Sequence, residues 1–90
     1  MKVKYSPSFL AIAKKANVRI RKNLKERIEI FSKDPNNPRL NNHPLRKEFQ
    51  GYRSIDITSD WRSIYKETKI GGETGAYFVA LGTHQELYEN

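Results

Sequence analysis

Apolar positions along the chain change period twice. KVKY (2–5) alternates like a short strand. Ser6-Pro7 follows, a capping residue with proline at the first helical position, and Phe9, Leu10, Ile12 and Ala13 give the ensuing helix one apolar side. Asn17 can cap a second helix, in which Ile20, Leu24, Ile28 and Phe31 recur at four, four and three residues, the spacing of one buried stripe. Arg19, Arg21, Lys22, Lys25 and Arg27 take the remaining surface, and Asp34-Pro35 stops the helix. Alternation returns in 49–57 (FQGYRSIDI), 61–67 (WRSIYKE) and 76–81 (AYFVAL). Thr58-Ser59-Asp60 makes a tight turn between the first two of these strands, and residues 70–75 a looser one before the third.

Between the helical and strand halves lies DPNNPRLNNHPLRK (34–47), with three prolines and four asparagines. It reads as an irregular loop, and a loop that long in a short chain is usually functional or mobile. The order β-α-α-β-β-β predicts an α+β fold, two N-terminal helices packed on an antiparallel sheet of about four strands, in one domain over 1–90. Period two puts Arg62, Ile64 and Lys66 on one face of their strand and Trp61, Ser63 and Tyr65 on the other. Arg53 shares a face with Ile55 and Ile57. Trp61 therefore reads as core, opposite Arg62.

Charge narrows the partners. Residues 1–50 hold thirteen basic and four acidic residues, whereas residues 51–90 hold four basic and six acidic ones, and the net charge is +7. That asymmetry suits a polyanion, either nucleic acid or an acidic protein. Cysteine is absent, which excludes a disulfide framework and a thiolate metal site, and two distant histidines form no ligand cluster. No signal-like or membrane-length apolar run is present, so a cytoplasmic protein without membrane attachment is expected. The last ten residues, LGTHQELYEN, nonetheless hold one of the two histidines and one of the five tyrosines.

The residues His43-Pro44-Leu45, Gly51-Tyr52-Arg53, Asp60-Trp61-Arg62 followed by Ile64-Tyr65-Lys66, and Gly82-Thr83-His84 with Tyr88 four residues on, taken in this order, resemble the RelE/ParE superfamily of type II toxins, nearest its YafQ-like subgroup. The resemblance covers nearly the whole chain. It implies a small basic ribonuclease that needs no metal or small-molecule cofactor, cuts messenger RNA on the ribosome, and is silenced by a cognate acidic antitoxin. It also implies catalytic roles for His43, Asp60, His84 and Tyr88. Arg62 matches an arginine that other members place beside the scissile phosphate, and Arg53 falls where some members carry a lysine. Two positions depart from the subgroup pattern: Asp56 stands in place of a histidine and Ala80 in place of an arginine. Arg62 can restore the lost phosphate clamp from the neighbouring strand.

Ribonucleic acid supplies its own nucleophile, the 2′-oxygen, so cleavage needs a base for its proton, an acid for the leaving 5′-oxygen and a cation for the phosphate. Histidine suits the proton transfers and the planar arginine fork suits the phosphate. His84 and His43 are the candidate proton carriers, Arg62 the clamp, Asp60 a partner or base, and Tyr88 a stacking or hydrogen-bonding group. Arg53, Lys22, Lys25 and Lys66 are candidate RNA-backbone contacts. A non-catalytic reading stays open on the same fold: a ParE-like inhibitor of DNA gyrase, or a degenerate toxin that acts only by binding. A general RNA-binding module is the third.

Overall fold

The computed structural model describes residues 1–88. Strand β1 (Lys2–Tyr5) leads into helix α1 (Pro7–Lys15), and helix α2 (Val18–Lys33) follows. Both caps work as their sequences require: Ser6 Oγ accepts from the Phe9 N–H at 3.0 Å, and Asn17 Oδ1 from the Ile20 N–H at 3.0 Å. Strands β2 (His43–Pro44), β3 (Arg53–Asp56), β4 (Trp61–Ile70) and β5 (Glu73–Thr83) complete a sheet of order β1-β5-β4-β3-β2, and helix α3 (His84–Tyr88) ends the described chain.

The α+β reading holds, with two adjustments. The sheet has five strands, because the loop contributes β2 at the edge. It is also mixed: β1 pairs parallel with β5, while the other pairs are antiparallel. The cause is topological. The two helices carry the chain across the sheet before β3 begins, so β1 remains on the far edge and meets only the last strand.

The expected stripe on α2 is buried at Ile20, Leu24 and Phe31, with Ile28 partly covered. On α1 the apolar side is narrower than its sequence implies: Phe9 is buried and Ala13 packs beside it, whereas Leu10 and Ile12 are exposed. Residues four apart share a helix face, and Leu10 and Ile12 fall to either side of that line. Phe31 meets the rings of Tyr65 and Phe78 edge-on at 4.8 and 5.3 Å, arrangements that add roughly 0.5–1.5 kcal/mol each beyond burial.

A bulge in β5 decides which of its residues reach that core. Ile64 pairs with Ala80 but Tyr65 with Phe78, so Val79 is the extra residue. Leu81 and Phe78, three apart, both face the helices as a result, and both are buried. Ser6 Oγ donates to the Val79 carbonyl at 3.3 Å, which ties the bulge to the start of α1.

The segment 34–47 is more ordered than its composition implies. It contains a single 3-10 turn at Pro38–Leu40, capped by Asn37, and the two-residue strand β2. Leu40 is fully buried in the core and anchors the loop. The β4–β5 turn shrinks to Gly71-Gly72, both at positive φ (60° and 83°), so β4 and β5 are longer than alternation alone indicates.

Candidate active site

The sheet face turned away from α1 and α2 follows from register. Cross-strand partners share a face, so Gly82, Arg62 and Asp56 form one row across β5, β4 and β3. Ala80, Ile64, Ser54 and His43 form the next row, reaching β2. Alanine, glycine and serine make much of this floor low. Helix α3 folds back over it and packs on β5 and β4. A Cβ at Gly82 would stand 3.3 Å from the Glu86 carboxylate and 3.4 Å from the Leu87 side chain, so glycine lets the helix approach closely.

The approach is fixed by a capping box. Thr83 Oγ1 accepts from the Glu86 N–H at 3.1 Å, and Glu86 Oε1 accepts from the Thr83 N–H at 2.8 Å. The Thr83 N–H, and then its side chain, hold the Glu86 carboxyl below its ordinary pKa. The His84 N–H donates to the Asp60 carbonyl at 2.8 Å, which binds the first turn of α3 to the β3–β4 connection. At the other end, Tyr88 Oη donates to the buried Ser54 Oγ at 3.0 Å. The Tyr88 ring lies 4.8 Å from the His84 ring, centroid to centroid.

His43 enters from the loop side. Its Nδ1 lies 2.8 Å from the Asn41 carbonyl, an acceptor only, so Nδ1 carries the proton and the neutral ring keeps its lone pair on Nε2. Asn41 adopts the left-handed conformation (φ 47°), which asparagine tolerates better than most residues. Its Nδ2 reaches Asp56 Oδ2 at 3.4 Å. Asp56 Oδ1 in turn lies 2.9 Å from Arg62 Nε, in an ion pair without hydrogen-bond alignment. Arg62 Nη1 donates to the Thr58 and Trp61 carbonyls at 2.9 and 3.1 Å. The guanidinium is thus held on two of its three nitrogens.

His43, Arg62, His84 and Tyr88 line one open cleft of about 320 Å³, with Asn41 and Leu45. Four of the five expected catalytic side chains therefore meet, although they come from three separate segments, β2, β4 and α3. Asp60 is not among the cleft-lining residues; its part here is the backbone carbonyl that receives His84. The Tyr88 hydroxyl is engaged with Ser54, so its ring is the portion presented to the cleft.

The four candidate RNA contacts divide. Lys66 is exposed on the same face as Arg62, four residues along the strand and about 13 Å away at ordinary strand rise. Arg53 pairs with Tyr65 and so lies on the helix side, its Nε donating to Asn42 Oδ1 at 2.8 Å, while Asn42 Nδ2 donates to Tyr65 Oη at 2.8 Å. That network gives Arg53 a structural task away from the cleft. Lys22 and Lys25 are exposed on α2, with the sheet between them and the cleft.

Asn41, Asp56 and the Thr83–Glu86 cap complete the site and were not assigned roles from sequence. Only the cap had a local signal, the Thr-x-x-Glu spacing of residues 83–86. Among the described residues, no three His, Cys, Asp or Glu side chains converge as a metal site would require. No helix among them is long and apolar enough to cross a membrane.

Solved structures share this fold. YafQ from Escherichia coli strain BL21(DE3) superposes with a TM-score of 0.77 at 27% identity, covering 97% of each chain. A chain of the E. coli DinJ–YafQ complex is 28% identical with a TM-score of 0.63, again over 97% of each. A YoeB/ParE toxin from Agrobacterium tumefaciens, at 21% identity, shares the fold with a TM-score of 0.75 over 93% of this chain and 99% of its own. No curated protein sequence matches the chain. Residues 1–89 match the family model described as the bacterial toxin of type II toxin–antitoxin system, YafQ, and the chain belongs to that family of toxins.

Proposed function

We propose that this toxin is an endoribonuclease that cuts messenger RNA in the ribosomal A site, within the cytoplasm. The convergence of His43, Arg62, His84 and Tyr88 on one cleft carries the reading. Neutral His43 takes the 2′-hydroxyl proton on Nε2. The 2′-oxygen attacks the adjacent phosphorus, and the bond to the 5′-oxygen breaks as protonated His84 delivers a proton to it. Products are a 2′,3′-cyclic phosphate and a 5′-hydroxyl. Arg62, held on Nε and Nη1, meets the charge that builds on the non-bridging oxygens through its remaining nitrogen. The Tyr88 ring supports a base beside the scissile bond. Lys22 and Lys25, on the far face, contact ribosomal RNA rather than the cleaved strand.

The partner that silences it is an acidic antitoxin, a reading supported by the toxin–antitoxin complex that E. coli YafQ forms with DinJ. Its seat is the apolar groove of about 280 Å³ where Tyr5, Phe9, Leu10, Ala13, Leu24 and Ile28 meet, edged by Arg21, Lys25 and Glu29. Leu10, which lines the groove, stands 52% exposed, and Ile12 and Val18 are exposed elsewhere on the helix pair.

One observation favours the non-catalytic alternative. Asp56 offsets part of the charge of Arg62, and Ala80 supplies no second cation. Ribosomes programmed with a defined message decide between the two. Wild type should leave a 2′,3′-cyclic phosphate end with a bell-shaped pH profile, and His84→Ala and Arg62→Ala should each lose about 10²-fold or more. Growth arrest by a wild-type protein that cuts no message would instead support an inhibitor of the gyrase-poison kind.

A further inference from the structure

A second depression, of about 370 Å³, adjoins the cleft and is lined by Arg46, Lys47, Glu48, Phe49, Leu87 and Tyr88. Tyr88 belongs to both and forms the wall between them, its ring 4.8 Å from His84 on one side and 6.1 Å from Phe49 on the other. From this we infer a subsite for the nucleotide next to the scissile one, its base against Phe49 and Leu87 and its phosphate at Arg46 and Lys47. The inference rests on the ribonuclease reading for its orientation, and deepens it.

Three observations support the assignment. The chemistry is that of single-strand recognition, an aromatic and apolar platform beside cations. Arg46 and Lys47 are exposed and enter no ion pair among the described residues, so an incoming phosphate displaces no carboxylate. The loop is also built to hold its shape. The Leu45 N–H donates to the Tyr52 carbonyl at 3.0 Å and the Tyr52 N–H to the Phe49 carbonyl at 2.9 Å, closing 45–52 on itself. Within it Lys47 sits at φ 56°, a left-handed conformation unfavourable for lysine, sustained because these bonds over-determine the turn.

The test is binding, kept separate from cleavage. A fluorescent heptaribonucleotide, 2′-O-methylated throughout so that it has no nucleophile, is titrated against the protein at low salt. Arg46→Ala with Lys47→Gly, which removes both charges and suits the positive φ, should weaken binding about tenfold. Phe49→Leu, which keeps apolar volume but loses the ring, should weaken it roughly fivefold, within the range of one base stack. Lys69→Ala, at the far end of β4, should bind as wild type. A 4-thiouridine beside the central nucleotide should crosslink to Phe49 or Leu87. Absence of wild-type binding, unchanged affinity in the Arg46/Lys47 and Phe49 variants, or crosslinks confined to other segments would overturn the subsite. Wild-type binding with these losses but no cleavage of programmed ribosomes would sink the ribonuclease reading and leave the subsite standing.

Discussion

Asp56 Oδ1 lies 2.9 Å from Arg62 Nε, across adjacent strands whose register sets the two residues opposite each other. Their side chains are only 25% and 17% exposed, so the pair is shielded enough for its geometry to matter. Asp56→Asn keeps the shape but removes the charge that orients the guanidinium. The cleavage rate should fall about tenfold, or ~1.4 kcal/mol of transition-state stabilisation. Arg62→Lys should fall further, because it keeps a charge but loses the planar fork. Equal rates for wild type and Asp56→Asn in single-turnover cleavage would show that the carboxylate does not orient Arg62.

The two departures from the subgroup pattern, Asp56 and Ala80, sit in neighbouring rows of the same sheet face. Asp56→His alone releases Arg62, and Ala80→Arg alone adds a second cation in the row next to the one that holds Arg62. Together they build a histidine and an arginine where the pattern has them. The double variant should therefore cut faster than the two single losses predict, by at least 0.5 kcal/mol of coupling in a double-mutant cycle. Simple additivity would mean that the two substitutions are unrelated.

Glu86 gives α3 an acid-sensitive start. Its carboxyl is held below its ordinary pKa by the Thr83 N–H, and in the unfolded chain that hold is gone. The cap therefore contributes stability above the unfolded value, and the contribution disappears as pH falls through the lower folded one. Amides of α3 should lose exchange protection as pH falls through and below the ordinary carboxylate range, before the β4 amides do. Thr83→Ala removes the other half of the box and should destabilise this helix by roughly 1 kcal/mol at neutral pH. Cleavage should slow with it, since His84 is the first residue of the helix.

How much of this was legible beforehand divides by mechanism. The α2 stripe, both N-caps and the faces of β4 follow from periodicity and local chemistry, and all are found. The clustering of His43 with His84 depends on pairing across the whole sheet, which no local rule specifies. It was reached through resemblance, which marked Asp56 only as a departure from the pattern and gave Asn41 no signal at all. Leu40 illustrates the same limit: one leucine among prolines and asparagines gives no period, yet it fills the core. The bulge at Val79 could not be read either, because the AYFVAL run is apolar at nearly every position.

Arg53 tests the division between the two faces. Its bond to Asn42, which also holds Tyr65, makes it part of the scaffold under β2. Arg53→Gln should lower stability by about 1–2 kcal/mol while leaving single-strand RNA affinity at the cleft intact. Burial raises the Tyr65 pKa, with the Asn42 and Arg53 contacts opposing the rise. The phenol thus loses its proton in the unfolded chain first, and stability should decline as pH climbs from about 10 through the folded value. Tyr65→Phe should remove that alkaline dependence.

The groove beside α1 tests the partner separately from the chemistry. Leu10 is half exposed and lines it together with the Arg21–Lys25 edge, so replacing Leu10 disturbs little in the free toxin. Leu10→Glu should change stability within about 0.5 kcal/mol, as surface substitutions do. It also places a negative charge where an acidic helix would lay its apolar side. The variant should cut programmed ribosomes at the wild-type rate, because the sheet stands between the groove and the cleft. Its antitoxin affinity should fall by about tenfold or more, the scale of one lost anchor in a helix-in-groove contact. Cells co-expressing antitoxin should then be rescued from wild type but arrested by Leu10→Glu. Undiminished rescue and affinity would place the antitoxin elsewhere on the surface, whereas lost cleavage in this variant would mean that the two faces are coupled.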